Sequence, residues 1–463
     1  MEFHLPQTDL WTTSMEEQTK SIDKPDPMYF PSPARPSAAS IPTPWPMSPA
    51  RTPPPLPQQQ QQPVVYHCIA SLHRPDGNIV SIAVTKEFIF VGSESGRIQS
   101  WKLPECPGMG FIKASSGQVG AMFACGRMLF TSHGDCRVRI WDVKIGGKKL
   151  KPKKISTLPP KRSFLAMRNI RAAQQQHTDL ISCLAYNNVD KLLYTGSWDS
   201  TVKAWNISEK RCVDSFMAHE GNVNAIVINQ EDGCVFTCSS DGSVKIWRRV
   251  FGESSHILTM ILKFQLSPVN ALALAVNPSP SSKPCNFLYS GSSDGLINFW
   301  EKETSSSRYN HGESLQGHHF AVLCLVTLKD LILSGSEDTT IRVWRRDHGE
   351  NGLLHSCLSV IEGHHGPVRC LAAAMETDNM GNMLVCSASL DQSFKVWRVK
   401  VFPAKKSSPP PPVMNSSGCC SSEMIEQLKE IVGCEMNAVL SPSWVEKRKL
   451  QGGDYYMSSS NPF

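Results

Sequence analysis

The stretch GSWDSTVKAW, residues 196–205, recurs with small changes seven times along the chain. Every copy ends in tryptophan, and six of the seven carry aspartate six residues earlier, while the first copy carries Ser95. The tryptophans are Trp101, Trp141, Trp205, Trp247, Trp300, Trp344 and Trp397, and the aspartates are Asp135, Asp199, Asp241, Asp294, Asp338 and Asp391. Self-similarity of this kind predicts a repeat fold.

The spacing of the copies indicates the kind of repeat. Successive tryptophans lie 40, 64, 42, 53, 44 and 53 residues apart. A four-stranded propeller blade needs about 40–45 residues, so the longer intervals indicate loop insertions. The copies resemble those of the WD-repeat β-propeller family over residues 64–402. The resemblance implies an all-β, seven-bladed WD-repeat propeller.

Length and composition agree with a ring of blades between two unfolded tails. A chain of 463 residues is too long for one compact core, but each blade packs mainly on its neighbours. The chain ends are rich in proline, which cannot sit inside central strands. We expect a disordered Pro/Gln-rich tail at 1–62, a propeller at 63–402, and a Pro/Ser-rich linker and tail at 403–463. The apolar spacing at 422–432 is that of a short amphipathic helix, and a frayed tail is the favoured alternative because so short a helix is marginal in water.

The ordered region opens with VVYHCIASL, residues 64–72, an extended stretch without a tryptophan copy before it. In WD-repeat propellers such an N-terminal strand completes the last blade. We therefore expect residues 64–70 to pair beside the strand that carries Trp397 and to remove an exposed sheet edge.

Each repeat also offers residues that can fix the turn after its second strand. A hydroxyl stands four residues before the aspartate, and in four repeats a histidine stands about twenty residues before it. By resemblance to WD-repeat proteins, four buried networks are implied: His177 with Thr195, Asp199 and Trp205; His219 with Thr237, Asp241 and Trp247; His318 with Ser334, Asp338 and Trp344; His364 with Ser387, Asp391 and Trp397. The repeats of Ser95, Asp135 and Asp294 depart from this pattern, and looser turns are expected there.

The recurrence of these histidines and aspartates indicates structure rather than catalysis, because a catalytic constellation converges once. The chain lacks a P-loop, a G-x-S-x-G motif and an H-E-x-x-H motif. It also lacks the C-x2-C pairs of zinc sites, and its cysteines often occupy a repeat position that accepts small residues. We expect reduced thiols, no enzyme activity, no cofactor and no metal.

The residue before each aspartate should lie at a turn tip on one face of the propeller. Trp198 is an unusually large residue for such a tip, and it is either an interface anchor or a side chain tucked against a neighbouring loop. The candidate partner-binding residues on this face are Trp198, Asn224, Phe320, Glu337, Arg369 and Leu390.

A basic insertion follows Trp141. Residues 144–171 contain ten Lys or Arg and no acid. The segment therefore carries a charge of +10, and the rest of the chain carries −4, which gives the net charge of +6. The candidates for a nuclear localisation signal are Lys148, Lys149, Lys151, Lys153 and Lys154, and the same residues could touch nucleic acid or acidic lipid. A solvated loop is the alternative. Nucleic-acid binding as the main function is disfavoured because no aromatic residue is interleaved with these lysines.

The same repeat contains LFTSHGDCRVRIWDVK, residues 129–144. It resembles the motif with which some WD-repeat proteins dock on the adaptor of cullin-RING ubiquitin ligases, through Asp135, Trp141, Asp142 and Lys144. Two departures from the motif are His133, where a small residue is usual, and Lys144, where arginine is commoner.

Several longer stretches resemble plant WD-repeat proteins of the Jingubang group. They are HRPDGNIVSIAV (73–84), LLYTGSWDSTVKAWNIS (192–208), AHEGNVNAIV (218–227), LYSGSSDGLINFWEKE (288–303) and CLSVIEGHHGPVRCLA (357–372). The resemblance implies a non-enzymatic scaffold of cytoplasm and nucleus that restrains pollen germination and growth by holding other proteins, such as transcription regulators.

The alternatives to that scaffold are a ubiquitin-ligase substrate receptor and a nucleic-acid-associated nuclear factor. The N-terminus lacks a signal peptide and no apolar run of 18 residues occurs, so a soluble, intracellular, monomeric propeller without membrane contact is expected.

Overall fold

The computed structural model describes residues 64–73, 77–114, 117–146, 149–160, 176–250, 252–264, 266–277, 285–303, 306, 308–349, 352–376 and 382–402. These residues form strands and turns. The strands are β1 Val64–His73, β2 Ile79–Val84, β3 Phe88–Ser93, β4 Arg97–Lys102, β5 Gly108–Lys113, β6 Val119–Cys125, β7 Met128–His133, β8 Arg137–Gly146, β9 Lys149–Leu158, β10 Ile181–Asn187, β11 Leu192–Ser197, β12 Thr201–Asn206, β13 Arg211–Met217, β14 Val223–Ile228, β15 Val235–Ser239, β16 Val244–Arg249, β17 His256–Leu262, β18 Val269–Asn277, β19 Cys285–Ser292, β20 Ile297–Lys302, β21 Tyr309–His311, β22 Val322–Leu328, β23 Leu331–Ser336, β24 Ile341–Gly349, β25 Gly352–Ile361, β26 Val368–Met375, β27 Asn382–Ser389 and β28 Ser393–Val401.

The strands form seven antiparallel sheets of four, each in chain order except the last. Blades 1 to 6 are β2–β5, β6–β9, β10–β13, β14–β17, β18–β21 and β22–β25, and blade 7 is β26–β28 with β1. The first strand of each blade lies beside the first strands of both neighbours, and the series closes where β26 meets β2. The predicted seven-bladed all-β propeller is confirmed.

Burial follows the position of a strand within its blade. The second strands lie between two neighbouring blades, and every residue of β3 and of β11 is buried. This explains their continuous apolar sequences, which a strand covered on both sides requires. The outer strands are covered on one side only, and no residue of β13 is fully buried.

The repeated tryptophan joins each blade to the one before it. Trp141 of blade 2 packs in one cluster with Phe88, Phe90 and Ile98 of blade 1. The other six repeat tryptophans likewise lie in clusters shared with the preceding blade. Burying an aromatic side chain of this size makes a large contribution to stability, so the repeat places one strong joint at every blade boundary.

The ring is closed by β1, as the sequence predicts. β1 pairs with β28, which places Cys68 opposite Trp397 and Val64 opposite Val401. The Tyr66 hydroxyl also donates a hydrogen bond of 3.2 Å to the Val360 carbonyl of blade 6. Without β1, the ladder of β28 would be left as an open edge.

The basic stretch after Trp141 is not only a loop, which corrects the expectation from sequence. Lys149–Leu158 forms β9, the outer strand of blade 2, and pairs with β8 along its whole length. Lys149, Lys151 and Lys153 alternate with the half-buried Leu150 and Pro152, and the pairing overrides the low strand propensity of lysine. Lys148 and residues 161–175 lie outside the described residues, as do the predicted tails and the helix at 422–432.

The two faces of the ring carry different connections. The face with the turns between second and third strands, and with the loops that enter the first strands, is called here the turn face. The opposite hairpin face carries the first-to-second and third-to-fourth connections. On the turn face, the backbone N–H of each tip residue donates to a carbonyl just before its first strand: Glu94 to Asn78, Gly134 to Gln118, Trp198 to Leu180, Ser240 to Asn222, Ser293 to Pro268, Glu337 to Ala321 and Leu390 to Pro367.

Candidate functional site

The structure brings the members of each predicted His–hydroxyl–Asp–Trp set within hydrogen-bond distance. In blade 3, Trp205 Nε1 lies 3.0 Å from Thr195 Oγ1, which lies 2.7 Å from His177 Nε2, and His177 Nδ1 lies 2.9 Å from Asp199. The same three contacts occur for His219, Thr237, Asp241 and Trp247; for His318, Ser334, Asp338 and Trp344; and for His364, Ser387, Asp391 and Trp397.

The chemistry of the groups orders the hydrogen bonds in blade 3. The Trp205 indole can only donate, so the Thr195 oxygen accepts from it and its own hydrogen goes to His177 Nε2. His177 Nδ1–H then donates to Asp199. That carboxylate also accepts from the Thr178 backbone N–H and the Thr201 hydroxyl. Every donor in the chain is satisfied, and the turn is tied to the second strand.

The titration behaviour fits a neutral histidine and a charged aspartate. Burial lowers the pKa of His219, and the nearby Asp241 only partly offsets this. Burial alone would raise the pKa of Asp241, but hydrogen bonds from Ser243 and the interaction with His219 hold it at about 2. The four network histidine side chains are sealed from solvent. The imidazole rings are therefore closed to solvent, and the hydrogen bonds of each set tie its turn to the second strand.

Blade 2 holds its turn in a way the sequence pattern did not show. His133, at the end of β7, places Nε2 2.8 Å from Thr131 Oγ1, which accepts from Trp141 Nε1 at 3.0 Å. Burial, with Arg139 nearby, lowers the pKa of His133 to about 3. A local imidazole thus takes over the contact to the hydroxyl, but His133 Nδ1 is buried without a partner among the described residues and does not reach Asp135. Asp135 instead pairs with Arg139 at 2.8 Å.

Blade 5 lacks a histidine at the hydroxyl of its second strand. Ser290 Oγ is buried with no hydrogen-bond partner among the described residues. Asp294 accepts from the Ser292 hydroxyl at 2.5 Å and from the Leu296 N–H, so its turn is held only locally. In blade 1, Ser95 contacts Ser93 in place of the aspartate.

Large apolar side chains are exposed on the turn face. Trp198 is 40% exposed, Phe320 is 60% exposed and Leu390 is 37% exposed. Trp198 is thus neither fully tucked nor fully free. Glu337 and Arg369 are also exposed on this face. We call Trp198, Phe320 and Leu390 the apolar tips.

Asn224 makes a contact between blades that the sequence did not predict. Its side-chain amide donates to the Val269 carbonyl of blade 5 at 2.9 Å. Asn270 makes the equivalent bond to Val322 of blade 6 at 3.2 Å. A first-strand asparagine therefore ties one blade to the next, and Asn224 has this contact in addition to its predicted place among the partner-binding candidates.

Sequence reasoning missed a second exposed apolar group on the same face. The loop from β17 to β18 carries Phe264, 59% exposed, and Leu266, 86% exposed. Phe264 stacks on the His311 ring with centroids 3.8 Å apart, while Leu266 points outward. The signal was available as two apolar residues in a connection between repeats, where polar residues are usual.

The ligase-adaptor candidates are largely engaged within blade 2. Trp141 is buried, Asp135 is paired with Arg139, and Asp142 binds Arg127 Nη2 through both oxygens at 2.8 and 3.0 Å. Lys144 Nζ lies 3.7 Å from Asp142 and is exposed. These residues share one strand pair, and Lys144 has the most exposed side chain of the four.

A groove opens between blades 1 and 2 on the hairpin face. It has a volume of about 710 Å³, with Phe88, Phe90 and Leu129 on its floor and Lys86 and Arg127 at its mouth. Within the described part of the chain, no group of three or more His, Cys, Asp or Glu is placed to hold a metal. Nor do the described residues include a helix long and apolar enough to cross a membrane.

Comparison with known families agrees with this geometry. The family described as WD domain, G-beta repeat matches residues 169–206, 210–248, 310–345 and 355–398. These four segments are the repeats that end in Trp205, Trp247, Trp344 and Trp397, the same four in which the histidine network is complete. The fold is thus a seven-bladed β-propeller, and four of its repeats match the WD domain, G-beta repeat family.

Similar curated proteins share the repeats over about half of the chain or less. An uncharacterized WD repeat-containing protein of Schizosaccharomyces pombe is 23% identical over 48% of this chain and 56% of its own length. Telomerase protein component 1 of Mus musculus is 25% identical over 48% of this chain and 10% of its own. Periodic tryptophan protein 2 of Arabidopsis thaliana is 28% identical over 37% of this chain and 18% of its own. The chain thus spans little more than half the length of the first of these relatives, and far less of the other two.

Proposed function

We propose that the protein is a non-enzymatic scaffold that binds other proteins through the turn face of its propeller. The observation that carries the proposal is the exposure of three large apolar side chains, the apolar tips, on one face of a rigid ring. Exposed aromatic anchors supply much of the energy of protein–protein interfaces, whereas they cost solubility on a surface without a partner.

The rest of the geometry supports binding rather than catalysis. The network histidine side chains are sealed inside the blades, and their hydrogen bonds to the half-buried aspartates hold the turns. The exposed charged residues near the apolar tips, Glu337 and Arg369, have opposite signs. Such residues can form the polar rim around an apolar interface centre.

The test compares two exposed phenylalanines of matched exposure. Phe320→Ala and Trp198→Ala change the turn face, while Phe111→Ala changes β5 of blade 1, where Phe111 is 59% exposed. Affinity purification or proximity labelling from the native tissue should lose partners with Phe320→Ala and Trp198→Ala and keep them with Phe111→Ala. If all three variants retain every partner of the parent protein, the turn face is not the recognition surface.

A substrate receptor of a cullin-RING ligase is the alternative form of this scaffold. The exposed Lys144 beside Asp142 is the feature that favours it. Purified cullin adaptor should then bind the parent protein and bind Lys144→Ala and Asp142→Ala less well. Absence of adaptor binding to the parent protein removes the alternative.

The resemblance to Jingubang-type regulators adds a cellular role to the proposed scaffold. The partners would then be regulators of pollen germination and growth, including transcription regulators, held in cytoplasm or nucleus. Loss of the gene product should accelerate pollen germination, and Phe320→Ala should fail to restore the parental rate. A normal rate without the protein would refute this extension while leaving the scaffold proposal in place.

A further inference from the structure

The hairpin of β8 and β9 extends beyond the rest of blade 2. β7 begins at Met128, which lies opposite Asp142, but β8 continues to Gly146 and pairs there with Lys149. Four residue pairs therefore project past the end of β7 on the hairpin face. At about 3.3 Å per residue, this two-stranded ribbon is roughly 13 Å long.

The two sides of the ribbon differ in chemistry. Val143 and Leu150 pack on the core shared with blade 1. Because side chains alternate along a strand, Lys144, Lys149, Lys151 and Lys153 point to the opposite side. The register places Lys144 directly opposite Lys151, and all four lysines are exposed. We call these four residues the lysine row.

The lysine row has little negative charge to balance it. Asp142 lies opposite Lys153, but both of its oxygens already bind Arg127. Among the described residues, no salt bridge engages Lys149, Lys151 or Lys153. Like charges directly opposite in a ladder are destabilising, and Asp142, 3.7 Å from Lys144, offsets that cost only in part because it also binds Arg127.

We propose that the lysine row binds the phosphate backbone of nucleic acid without regard to sequence. Alternate residues of a strand are about 6.7 Å apart, so Lys149, Lys151 and Lys153 form a straight row of regularly spaced cations. A straight row fits a linear polyanion better than an isolated anion, which needs converging donors. Lysine binds phosphate as a point charge, whereas carboxylate recognition favours the fork of arginine.

The surroundings favour this ligand over a membrane or an acidic protein. The lysine row itself contains no apolar side chain that could enter a lipid surface. It also contains no aromatic residue on which bases could stack, which limits contacts to phosphates. The row lies on the hairpin face, away from the apolar tips, so this activity is separate from the proposed protein-binding function.

The test uses the full-length protein and a fluorescein-labelled oligothymidylate of about 20 nucleotides, with anisotropy measured over a series of salt concentrations. The row variant is Lys144→Gln, Lys151→Gln and Lys153→Gln combined. The matched control is Lys86→Gln, Lys102→Gln and Lys113→Gln combined, which removes three exposed lysines from blade 1.

The row variant should bind about tenfold or more weakly, and the slope of log K against log salt should decrease in magnitude by about 2, near 0.7 for each lost contact. Its melting temperature should equal or exceed that of the parent protein, because repulsion between Lys144 and Lys151 is removed. The control should bind like the parent protein.

Three results would overturn the proposal. The row variant could bind as tightly as the parent protein, or the control could lose as much affinity as the row variant. The third result is that vesicles containing phosphatidylserine, or polyglutamate, bind the lysine row more tightly than the oligonucleotide does and displace it.

Discussion

At the scale of single residues, one buried hydroxyl holds each complete turn network together. Thr237 accepts from Trp247 at 2.9 Å and contacts His219 at 2.8 Å, and the histidine contacts Asp241 at 2.8 Å. Hydrogen bonds in such a chain polarise one another, and in a buried place an unpaired member is costly. The aspartate therefore stabilises the blade in two ways, by its hydrogen bonds within the turn and by accepting a hydrogen bond from the buried histidine.

We expect Asp241→Ala to lower the free energy of unfolding by about 1–3 kcal/mol, because His219 Nδ1–H loses its acceptor in a buried site. Asp294→Ala in blade 5 is the control, since Asp294 is exposed and its local bonds include no histidine. Thermal unfolding of the two variants should show a clearly larger shift for Asp241→Ala. Equal shifts would mean that the histidine adds nothing to the turn.

The complete networks could be predicted from the sequence because their members recur at nearly constant spacings. Thr195, Asp199 and Trp205 form a pattern that Thr237, Asp241 and Trp247 repeat. The contact of His133 could not be predicted in this way. It reaches Thr131 from two positions along the same strand, so no alignment on the other histidines could find it.

At the scale of strands and blades, two tyrosines bridge neighbouring blades in a way that no motif shows. Tyr194 of blade 3 contacts His256 of blade 4 at 2.9 Å, and His256 Nδ1 lies 2.7 Å from Asp214 of blade 3. Blades 5 and 6 repeat the first step, with Tyr289 2.9 Å from His355. The partners are far apart in sequence and, among the described residues, occur in these two blade pairs alone, so periodicity does not reveal them.

We expect Tyr194→Phe to destabilise the protein by about 1–2 kcal/mol, because the buried His256 loses its partner at Nε2. The control is Tyr186→Phe, since the Tyr186 hydroxyl makes no hydrogen bond to a described residue although the ring is buried. Denaturant unfolding followed by tryptophan fluorescence should separate the two. A Tyr186→Phe effect as large as that of Tyr194→Phe would remove the bridge as the cause.

The strand β9 shows why sequence reasoning misplaced part of blade 2. Its six-residue stretch from Lys149 to Lys154 holds four lysines and a proline, a composition depleted in strands. The structure still pairs it with β8, because the apolar side of the ribbon packs on blade 1. Tertiary packing, and not local propensity, decides this element, and a single sequence contains no record of that packing.

At the scale of the whole molecule, buried histidines should make the ring sensitive to acid. Burial lowers the pKa of His177, His219, His318 and His364 below the usual 6.5. Their unfolded forms take up protons near pH 6.5, whereas the folded forms do so only at lower pH. The stability they contribute is therefore complete above about pH 6.5 and is lost as the pH falls below it.

We expect the melting temperature to fall progressively between about pH 7 and pH 5, before the network aspartates titrate. The aspartates add to the loss only below about pH 4, since the pKa of both Asp241 and Asp338 is held at about 2 in the folded chain. Differential scanning fluorimetry in buffers of constant ionic strength gives the profile. A flat profile down to pH 5 would contradict neutral, buried histidines.

Closure by β1 determines whether seven blades behave as one ring. Val64 is buried between β28 and blade 6, and Tyr66 and Leu72 pack on clusters that blade 7 shares with its two neighbours. A chain beginning at Asp76 lacks all of these contacts and exposes the edge of β28. We expect it to lose at least about 3 kcal/mol of stability, since burying one Val or Leu contributes about 1.5–3 kcal/mol, and to aggregate through the open edge.

A chain beginning at Pro63 keeps β1 and is the control, so its melting temperature should match that of the full chain. If the chain beginning at Asp76 melts with the control and stays monomeric in size-exclusion chromatography, the pairing of β1 with β28 does not hold the ring closed.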